Sequence, residues 1–289
     1  MADALTCAQA IAAACSLGLD RLDAQLLLLH VLGKPHGERA WLIAHDRDLL
    51  SPAASERFRV LSQRRASGEP LAYIVGQQEF FGLPLAIDAR VLIPRPDTET
   101  LVSWALDVLP AGNAKVLDLG TGSGAIALAI KHARPAADVS AIDASADAVT
   151  VARSNAAALG LAVSIEISRW FEQVNGLFDV IVSNPPYVRE GDPHLMALGH
   201  EPIQALTAGA DGLSDLRQII AGAPVHLQAG GWLLLEHGYD QAVAVRQLLQ
   251  EHGFESVVSR DDLAGIQRCS GGRFGDLKPD LRSGIKSVG

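Results

Sequence analysis

The strongest constraint on the fold lies at residues 116–131, where an apolar strand leads through glycines into a helix. The strand and loop are Val116-Leu117-Asp118-Leu119-Gly120-Thr121-Gly122-Ser123-Gly124, and helical spacing of apolar residues begins at Ala125. Glycines allow a tight turn and close approach of the backbone to a ligand, and a helix N-terminus offers unpaired N–H groups. The same alternation of strand and helix continues to about Gly253, which predicts a doubly wound α/β sheet.

An acidic residue at the end of the next strand indicates a ligand that carries a ribose. The apolar segment 139–142 predicts this strand, and Asp143 follows it about 20 residues after the glycine loop. A carboxylate at this position can accept hydrogen bonds from both ribose hydroxyls. Its alternative role is to cap the following helix, although Ser145 is better placed as that cap.

The glycine loop by itself does not distinguish two cofactors. Gly122, Gly124 and Ala127 formally satisfy the dinucleotide fingerprint, and both NAD and S-adenosylmethionine place a ribose over an acid at the second strand. Asp118 favours S-adenosylmethionine, because it lies two residues before the first glycine and can meet an ammonium group that a nicotinamide dinucleotide lacks. The alternative role of Asp118 is to cap its own loop.

The tetrapeptide Asn184-Pro185-Pro186-Tyr187 indicates the second substrate. It follows the apolar segment 178–183, which predicts a buried parallel strand whose carboxyl end is where open α/β sheets bind ligands. The prolines stiffen the chain, so that the Asn184 side chain and the Pro185 carbonyl can accept both N–H bonds of an NH₂ group on an sp² carbon. Tyr187 can stack on a flat substrate. The pattern favours an amide, adenine or cytosine; a plain turn is the alternative.

The remaining segments predict an N-terminal helical domain and a linker. Helical spacing predicts helices over 6–16, 19–32 and 51–66, the last with Ser51 and Pro52 as start signals. Residues 76–95 predict a hairpin with its turn at Gly82-Leu83-Pro84, and Asp97 or Thr98 is expected to cap the next helix. We place domain boundaries at 1–75, 76–95 and 96–275, and expect residues 276–289 to form a flexible tail.

Composition opposes several other classes of function. The formal net charge of −9 opposes binding along a phosphate backbone, which requires a basic surface. No apolar segment has the length of a membrane span and the N-terminus lacks the basic region of a signal peptide, so we expect a cytoplasmic protein. The three cysteines show no paired spacing and the nine histidines lack ligand spacing, so we expect no metal site.

Beyond these patterns, the chain resembles the bacterial protein-(glutamine-N5) methyltransferases of peptide chain release factors, the HemK/PrmC family. The resemblance extends to about Phe274, and its motifs are Gln63-Arg64-Arg65, Gly68-Glu69-Pro70, Ala72-Tyr73-Ile74, Glu79-Phe80-Phe81-Gly82-Leu83, Ile93-Pro94-Arg95-Pro96-Asp97-Thr98-Glu99, 118–124, 183–187 and 232–241. The tetrapeptide alone is shared with DNA adenine methyltransferases. The segment 95–99 is more specific and separates this chain from the sister family that methylates a ribosomal protein.

The resemblance implies a Rossmann-like class I methyltransferase sheet, a small all-helical N-terminal domain that helps to recognise the substrate, and a β-hairpin linker. It implies methylation of the side-chain N5 of glutamine in the Gly-Gly-Gln motif of release factors, with S-adenosylmethionine as the cofactor. Together with Asp118, the expected cofactor contacts are Gly120, Thr121, Gly122, Ser123, Gly124, Asp143, Trp170 and Asn184. The expected catalytic residues are Asn184, Pro185 and Tyr187, and Pro186 joins them in the substrate site.

Two other functions stay open at this point. The first is a nucleic-acid amino methyltransferase, which the acidic balance of the chain opposes. The second is a non-catalytic module that binds S-adenosylmethionine, which the presence of both Asn184 and Pro185 opposes. Core packing is the alternative role for Trp170, and a purely structural cap is the alternative for the N-terminal helices. One segment departs from the family, because the loop between residues 194 and 202 is shorter and lacks an arginine.

Overall fold

The structure is a computed structural model that describes residues 5–275 of the chain. The chain divides into two compact units, Met1–Gln77 and Gln78–Gly289. The segment expected to be a flexible tail, 276–289, lies outside the described residues.

The first unit is helical, and its helices begin where capping residues permit. The helices are α1 Cys7–Ser16, α2 Arg21–Val31, α3 Arg39–Ala44, α4 Pro52–Ala66 and α5 Leu71–Val75. Thr6 forms a capping box with Gln9 before α1, and the Ser51 hydroxyl accepts from the Ala54 N–H before α4. The three predicted helices are confirmed, with Pro52 in the first turn of α4. Helices α3 and α5, of six and five residues, are too short to show a helical period in the sequence.

The first unit has its own apolar core. Leu27 and Leu28 of α2 are fully buried, and Ile11 of α1 and Phe58 of α4 pack into the same cluster. The Arg65 guanidinium pairs with the Asp23 carboxylate at 2.6 Å, which joins α4 to α2. The first two and the fourth helices therefore share one core, in agreement with the period of their apolar residues.

A two-stranded hairpin follows, and its turn differs from the predicted one. Its strands are β1 Gln77–Phe80 and β2 Leu83–Ala86. Phe81 and Gly82 have φ values of 51° and 78°, as in the two-residue turns that match the twist of hairpin strands. The prediction of a Gly82-Leu83-Pro84 turn is wrong, because Leu83 is buried as the first residue of β2 and Pro84 lies within that strand.

The second unit is built on a seven-stranded sheet. Its strands are β3 Lys115–Leu119, β4 Asp138–Asp143, β5 Ser164–Ile167, β6 Phe178–Ser183, β7 Leu227–Glu236, β8 Phe254–Asp261 and β9 Gln267–Phe274. They are ordered β5-β4-β3-β6-β7-β9-β8; the first five in this order are parallel, and β9 runs antiparallel to both of its neighbours. The chain crosses from one side of β3 to the other between β5 and β6. This confirms a doubly wound sheet with a switch point between β3 and β6.

Helices cover the sheet on both faces. They are α6 Glu99–Val108, α7 Ala125–Ala133, α8 Ala146–Leu159, α9 Ser214–Gly222 and α10 Ala242–Glu251, with short 3-10 helices at Pro96–Thr98, Pro193–Leu198, Ile203–Ala205 and Ala223–His226. Alternate strand residues such as Leu117, Ile181 and Leu233 form one core cluster with residues of α9 and α10. Trp104 of α6 packs on the opposite face, where a Cβ at Gly271 would lie 3.1 Å from its ring.

Candidate active site

The candidate site lies at the switch point, at the carboxyl ends of the parallel strands. A cavity of about 580 Å³ opens there, within the size range of ligand pockets. The predicted site residues that line it are Gly120, Gly122, Asp143, Trp170, Asn184 and Pro186. These residues lie at or just beyond the ends of four different strands, β3, β4, β5 and β6, and the topology of the sheet brings them together. The other predicted residues lie around or behind this surface.

The glycine loop approaches the cavity because its backbone adopts conformations that side chains disfavour. Gly120 has a φ of 72°, and a Cβ there would touch the Trp170 ring at 3.5 Å. Gly124 has a φ of 87°, and a Cβ there would lie 3.0 Å from Leu128 and 3.3 Å from Ala152, so the glycine permits close packing of the helices behind the loop. Ser123 is buried, and its carbonyl accepts from the side chain of Asn155 at 2.9 Å.

Asp118 lies beneath the glycine loop and is fully buried. Its Oδ2 accepts from the Thr121 hydroxyl at 2.6 Å and from the Ala127 N–H at 3.2 Å. Burial raises the pKa of Asp118 to about 7, against these two hydrogen bonds. Its Oδ1 is buried and has no hydrogen-bond partner among residues 5–275. One oxygen therefore caps the loop, and the predicted contact with an ammonium group stays a prediction for the other.

Asp143 is the last residue of β4 and borders the cavity, and its contact with a ribose stays a prediction. Its Oδ2 accepts from the Gly122 N–H and its Oδ1 from the Ser145 N–H, both at 2.9 Å. A carboxylate has about four lone-pair sites, so both oxygens keep capacity for ligand hydroxyls. Burial raises the pKa of Asp143, and these backbone hydrogen bonds oppose that rise. The helix cap is Ser145, as expected, because its hydroxyl accepts from the Ala148 N–H.

Trp170 lies three residues beyond β5 and borders the cavity. Its backbone has a φ of 44°, an uncommon conformation for a residue other than glycine. The indole lies next to Gly120 and also packs against the apolar core cluster. This position is compatible with the implied cofactor contact and also with core packing.

Asn184 presents a buried acceptor at the end of β6. Its Nδ2 donates to the Thr98 hydroxyl at 3.3 Å. Its Oδ1 is buried and has no partner in the described part of the chain. The expected cap of α6 is wrong, because Thr98 has a helical backbone and makes no side-chain capping bond. The Thr98 hydroxyl is instead buried next to Asn184, so this residue of the lead-in to α6 belongs to the site.

The other residues of the tetrapeptide are supported by burial, by core packing and by a hydrogen bond to their backbone. Pro185 is buried, and Tyr187 packs against the core cluster, which raises the pKa of its hydroxyl by burial. The Gln241 side chain donates to the Tyr187 carbonyl at 3.0 Å and to the Gly212 carbonyl at 3.2 Å. The predicted stacking of Tyr187 on a substrate stays a prediction, and Gln241 is a supporting residue that the sequence patterns did not single out.

A second buried acid joins the lead-in segment to the shortened loop. Glu201 forms an ion pair with Arg95 and also accepts from the Ile93 N–H at 3.1 Å. Its side chain is only 3 % exposed. The pair joins residues 106 positions apart in the chain, so no local pattern could have revealed it. Arg95 belongs to one of the characteristic motifs of the sequence, but nothing in that motif indicates its partner.

Residues 5–275 contain no group of histidine, cysteine and acidic side chains that could hold a metal ion. No helix in this part of the chain is both long enough and apolar enough to cross a membrane.

Comparisons with known proteins agree with this geometry. A family model described as the methyltransferase small domain matches residues 98–210, which contain the glycine loop, Asp143 and Asn184. A second model, the PrmC N-terminal domain, matches residues 3–76. A methyltransferase of known structure from Pyrococcus furiosus, 20% identical, has a TM-score of 0.54 and covers 77% of this chain and 100% of its own, which supports the fold. The matched family model, together with the fold, thus defines a methyltransferase.

Two curated relatives give the particular family. The release factor glutamine methyltransferase of Bordetella pertussis is 50% identical over 260 residues, which are 88% of this chain and 95% of that protein. That of Vibrio cholerae is 44% identical over 259 residues, which are 88% of this chain and 89% of that protein. The chain belongs to the release factor glutamine methyltransferase family, as its motifs predicted.

Proposed function

We propose that this protein transfers a methyl group from S-adenosylmethionine to the side-chain N5 of the glutamine in the Gly-Gly-Gln motif of peptide chain release factors. The relatives named above support release factors as the substrate class. The main support for this chemistry is the Oδ1 atom of Asn184. This atom lies beside the cavity, is buried, and has no hydrogen-bond partner among the described residues. An acceptor without a donor is costly to bury, and a substrate NH₂ group would satisfy it.

The residues of the cavity fit S-adenosylmethionine. Asp143 keeps free lone pairs for the ribose, Trp170 offers an aromatic face, and the unpaired Oδ1 of Asp118 lies beneath the glycine loop. A volume of about 580 Å³ is adequate for a cofactor together with one side chain. When bound, S-adenosylmethionine supplies an electrophilic methyl group on a positively charged sulfur.

The residues of this chain would then activate the amide by position. An amide nitrogen is a poor nucleophile, because its lone pair is delocalised into the carbonyl. The Asn184 Oδ1 and the Pro185 carbonyl would accept its two N–H bonds, orient the nitrogen and favour the positive charge that develops on it. No strong base is needed beforehand, since the amide proton becomes acidic once the nitrogen is methylated and can then leave.

The two units would divide the work between them. We assign recognition of the folded release factor to residues 1–75, a linking role to the hairpin region 76–95, and cofactor binding and methyl transfer to residues 96–275. The support is that every residue assigned to the cofactor or the amide lies after position 117. The proposed location is the cytoplasm, because translation termination takes place there.

A comparison of substrates tests the proposal. The full-length protein is incubated with labelled S-adenosylmethionine and, in parallel, with a release factor, a ribosomal protein or DNA. We expect label only on the release factor, and mass spectrometry should locate the methyl group on the glutamine of the Gly-Gly-Gln motif. A release factor with glutamate at that position is the matched control and should stay unlabelled. Labelling of DNA, or of the control, would overturn the assignment.

A further inference from the structure

Glu236 is a buried acid at the candidate site that the proposed chemistry does not use. It is the last residue of β7, and the register of the parallel pair β6 and β7 sets Ser183 opposite Leu235. Asn184 and Glu236 each follow a member of this pair directly in the chain. They therefore lie side by side on neighbouring strands, at the edge of the sheet where the cavity opens. Glu236 is 2 % exposed. A carboxyl this deeply buried requires a specific reason.

The surroundings of Glu236 favour contact with the amide of Asn184. Burial raises the pKa of Glu236 to about 7, and the neighbouring Thr98 and Asn184 side chains oppose that rise. The Oε2 atom of Glu236 has no hydrogen-bond partner within the described residues. Thr98 also contacts the Nδ2 of Asn184, so three side chains from separate segments meet at one point.

The orientation of the Asn184 amide decides whether the site can accept an N–H bond. A carboxamide turned by 180° would present its NH₂ group to the substrate, and two NH₂ groups cannot pair with each other as donors. An ionised carboxylate only accepts hydrogen bonds, so it pairs with the NH₂ side of the amide and not with its oxygen. The observed orientation has Nδ2 directed to Thr98 and leaves Oδ1 without a partner among residues 5–275.

We propose that Glu236 is a positioning residue for methyl transfer, whose carboxylate holds the NH₂ group of Asn184 and thereby leaves Oδ1 as the acceptor for the substrate amide. This inference rests on the proposed function. It assigns to Glu236 no contact with the substrate and no proton transfer. The residue acts through the orientation of Asn184.

The proposal has a consequence for pH dependence. A protonated Glu236 gains an O–H donor and can no longer select the NH₂ side of the amide, so the methylation rate should fall as pH drops through the pKa near 7. Other ionisable groups also act on Glu236: Asp97 in the 3-10 helix before α6 opposes its ionisation, and Arg268 on β9 favours it. Burial raises the pKa of both Tyr187 and Cys269, and the charge of the neighbouring Glu236 raises these pKa values further.

Substitutions in the full-length protein test this role. Glu236→Gln should lower kcat on a release factor by about 100-fold, the cost of a misplaced reacting group, and leave the KM for S-adenosylmethionine within about twofold. Glu236→Asp keeps the carboxylate and should retain more activity than Glu236→Gln, although glutamine is the closer match in volume. A merely structural role predicts the opposite order. Cys269→Ala, which changes the residue paired with Glu236 on β9, is the control and should leave kcat unchanged.

A second measurement needs no substrate. The side-chain NH₂ resonances of Asn184 can be assigned by NMR from their loss in Asn184→Asp. In the wild-type protein they should shift as pH passes through 7, and in Glu236→Gln that shift should be absent. If the wild-type enzyme fails to methylate a release factor, the proposed function fails while this titration still tests the contact. The inference is overturned if the Asn184 resonances do not shift between about pH 5 and pH 9. It is also overturned if Glu236→Gln has the kcat and the pH profile of the wild-type enzyme.

Discussion

At the scale of single residues, the proposed contact of Asp143 with the ribose of the cofactor can be tested by binding. Asp143→Ala should weaken the binding of S-adenosylmethionine by about 1–3 kcal/mol, because buried ribose hydroxyls would lose a charged acceptor. Calorimetric titration measures this loss. Asp138→Ala, at the exposed start of the same strand, is the matched control and should leave the affinity unchanged. Equal affinity of Asp143→Ala and the wild-type protein would show that Asp143 serves only the backbone of its own loop.

Asn184 should act mainly on the rate of methyl transfer. Asn184→Ala should lower kcat on a release factor by about 10²–10³-fold, the usual cost of one lost hydrogen bond to developing charge. Calorimetry measures how far the expected contact of Asn184 with the cofactor contributes to affinity, and circular dichroism should show an intact fold. Asn175→Ala, on the exposed segment before β6, serves as the control. Turnover of Asn184→Ala close to the wild-type value would contradict the two-acceptor arrangement.

Asp118 should make the stability of the protein depend on pH. Its pKa is raised from 3.8 to about 7 by burial, so between these values the folded state holds a proton that the unfolded state has released. The contribution of this group to the free energy of unfolding therefore decreases as pH rises from about 4 to 7. Asp118→Asn lacks this contribution, so its stability relative to the wild type should increase over that interval. Urea unfolding at several pH values measures the difference, and a constant difference would contradict the buried ionisation.

At the scale of elements, the support of the tetrapeptide by a neighbouring loop can be tested at Gly212. A Cβ at this position would lie 2.3 Å from the Tyr187 carbonyl oxygen and 2.8 Å from the Gln241 Nε2. Gly212→Ala should therefore displace the tetrapeptide, lower kcat, and reduce the free energy of unfolding by about 1–3 kcal/mol.

The control for this prediction is Gly209→Ala. Gly209 has the same φ of 72°, but a Cβ there would meet only the Ser214 side chain, at 3.5 Å. Both glycines have the same positive φ, so the comparison of the two variants tests the clash with the tetrapeptide. Equal kcat values in the two variants would mean that catalysis tolerates a displaced backbone at Tyr187.

The elements also show what a sequence can and cannot reveal. The long periodic helices and the buried parallel strands could be predicted, because each repeats one signal over many residues. The hairpin turn could not, since Phe81 adopts a positive φ that its residue type disfavours. Glu236 and Gln241 lie within a motif that carried the family resemblance, yet their contacts with the tetrapeptide join segments about 50 residues apart. A partner that distant leaves no local pattern.

At the scale of the whole molecule, the proposed division of work predicts a separation of two activities. A truncated chain that begins near Gly76 should still bind S-adenosylmethionine if it folds, because the cavity is lined by residues of the second unit. It should lose most activity on an intact release factor and keep a larger share on a short Gly-Gly-Gln peptide, since remote contacts contribute affinity only for the folded substrate.

Circular dichroism and thermal unfolding establish that the truncated chain is folded before the rates are compared. The full-length protein, assayed on both substrates, gives the reference ratio. If activity falls by the same factor on the protein and on the peptide, the first unit serves only as a structural cap. The boundary for the truncation agrees with the division of the chain at Gln77 and Gln78.

The buried oxygens of Asp118, Asn184 and Glu236, which lack partners among the described residues, set a trade-off for any attempt to make this protein more heat-resistant. Each carries a desolvation cost in the resting enzyme of about 1–3 kcal/mol. At Asn184 and Glu236, apolar replacements of matching shape would remove that cost and should raise the melting temperature, and these are positions to which we assign methyl transfer. At Asp118 such a replacement would also leave the Thr121 hydroxyl and the Ala127 N–H without their acceptor. If variants are selected only for thermal resistance, inactive variants with substitutions at this cavity should therefore be enriched. If they are also selected for turnover, the buried oxygens should be retained and the fold should stay less stable.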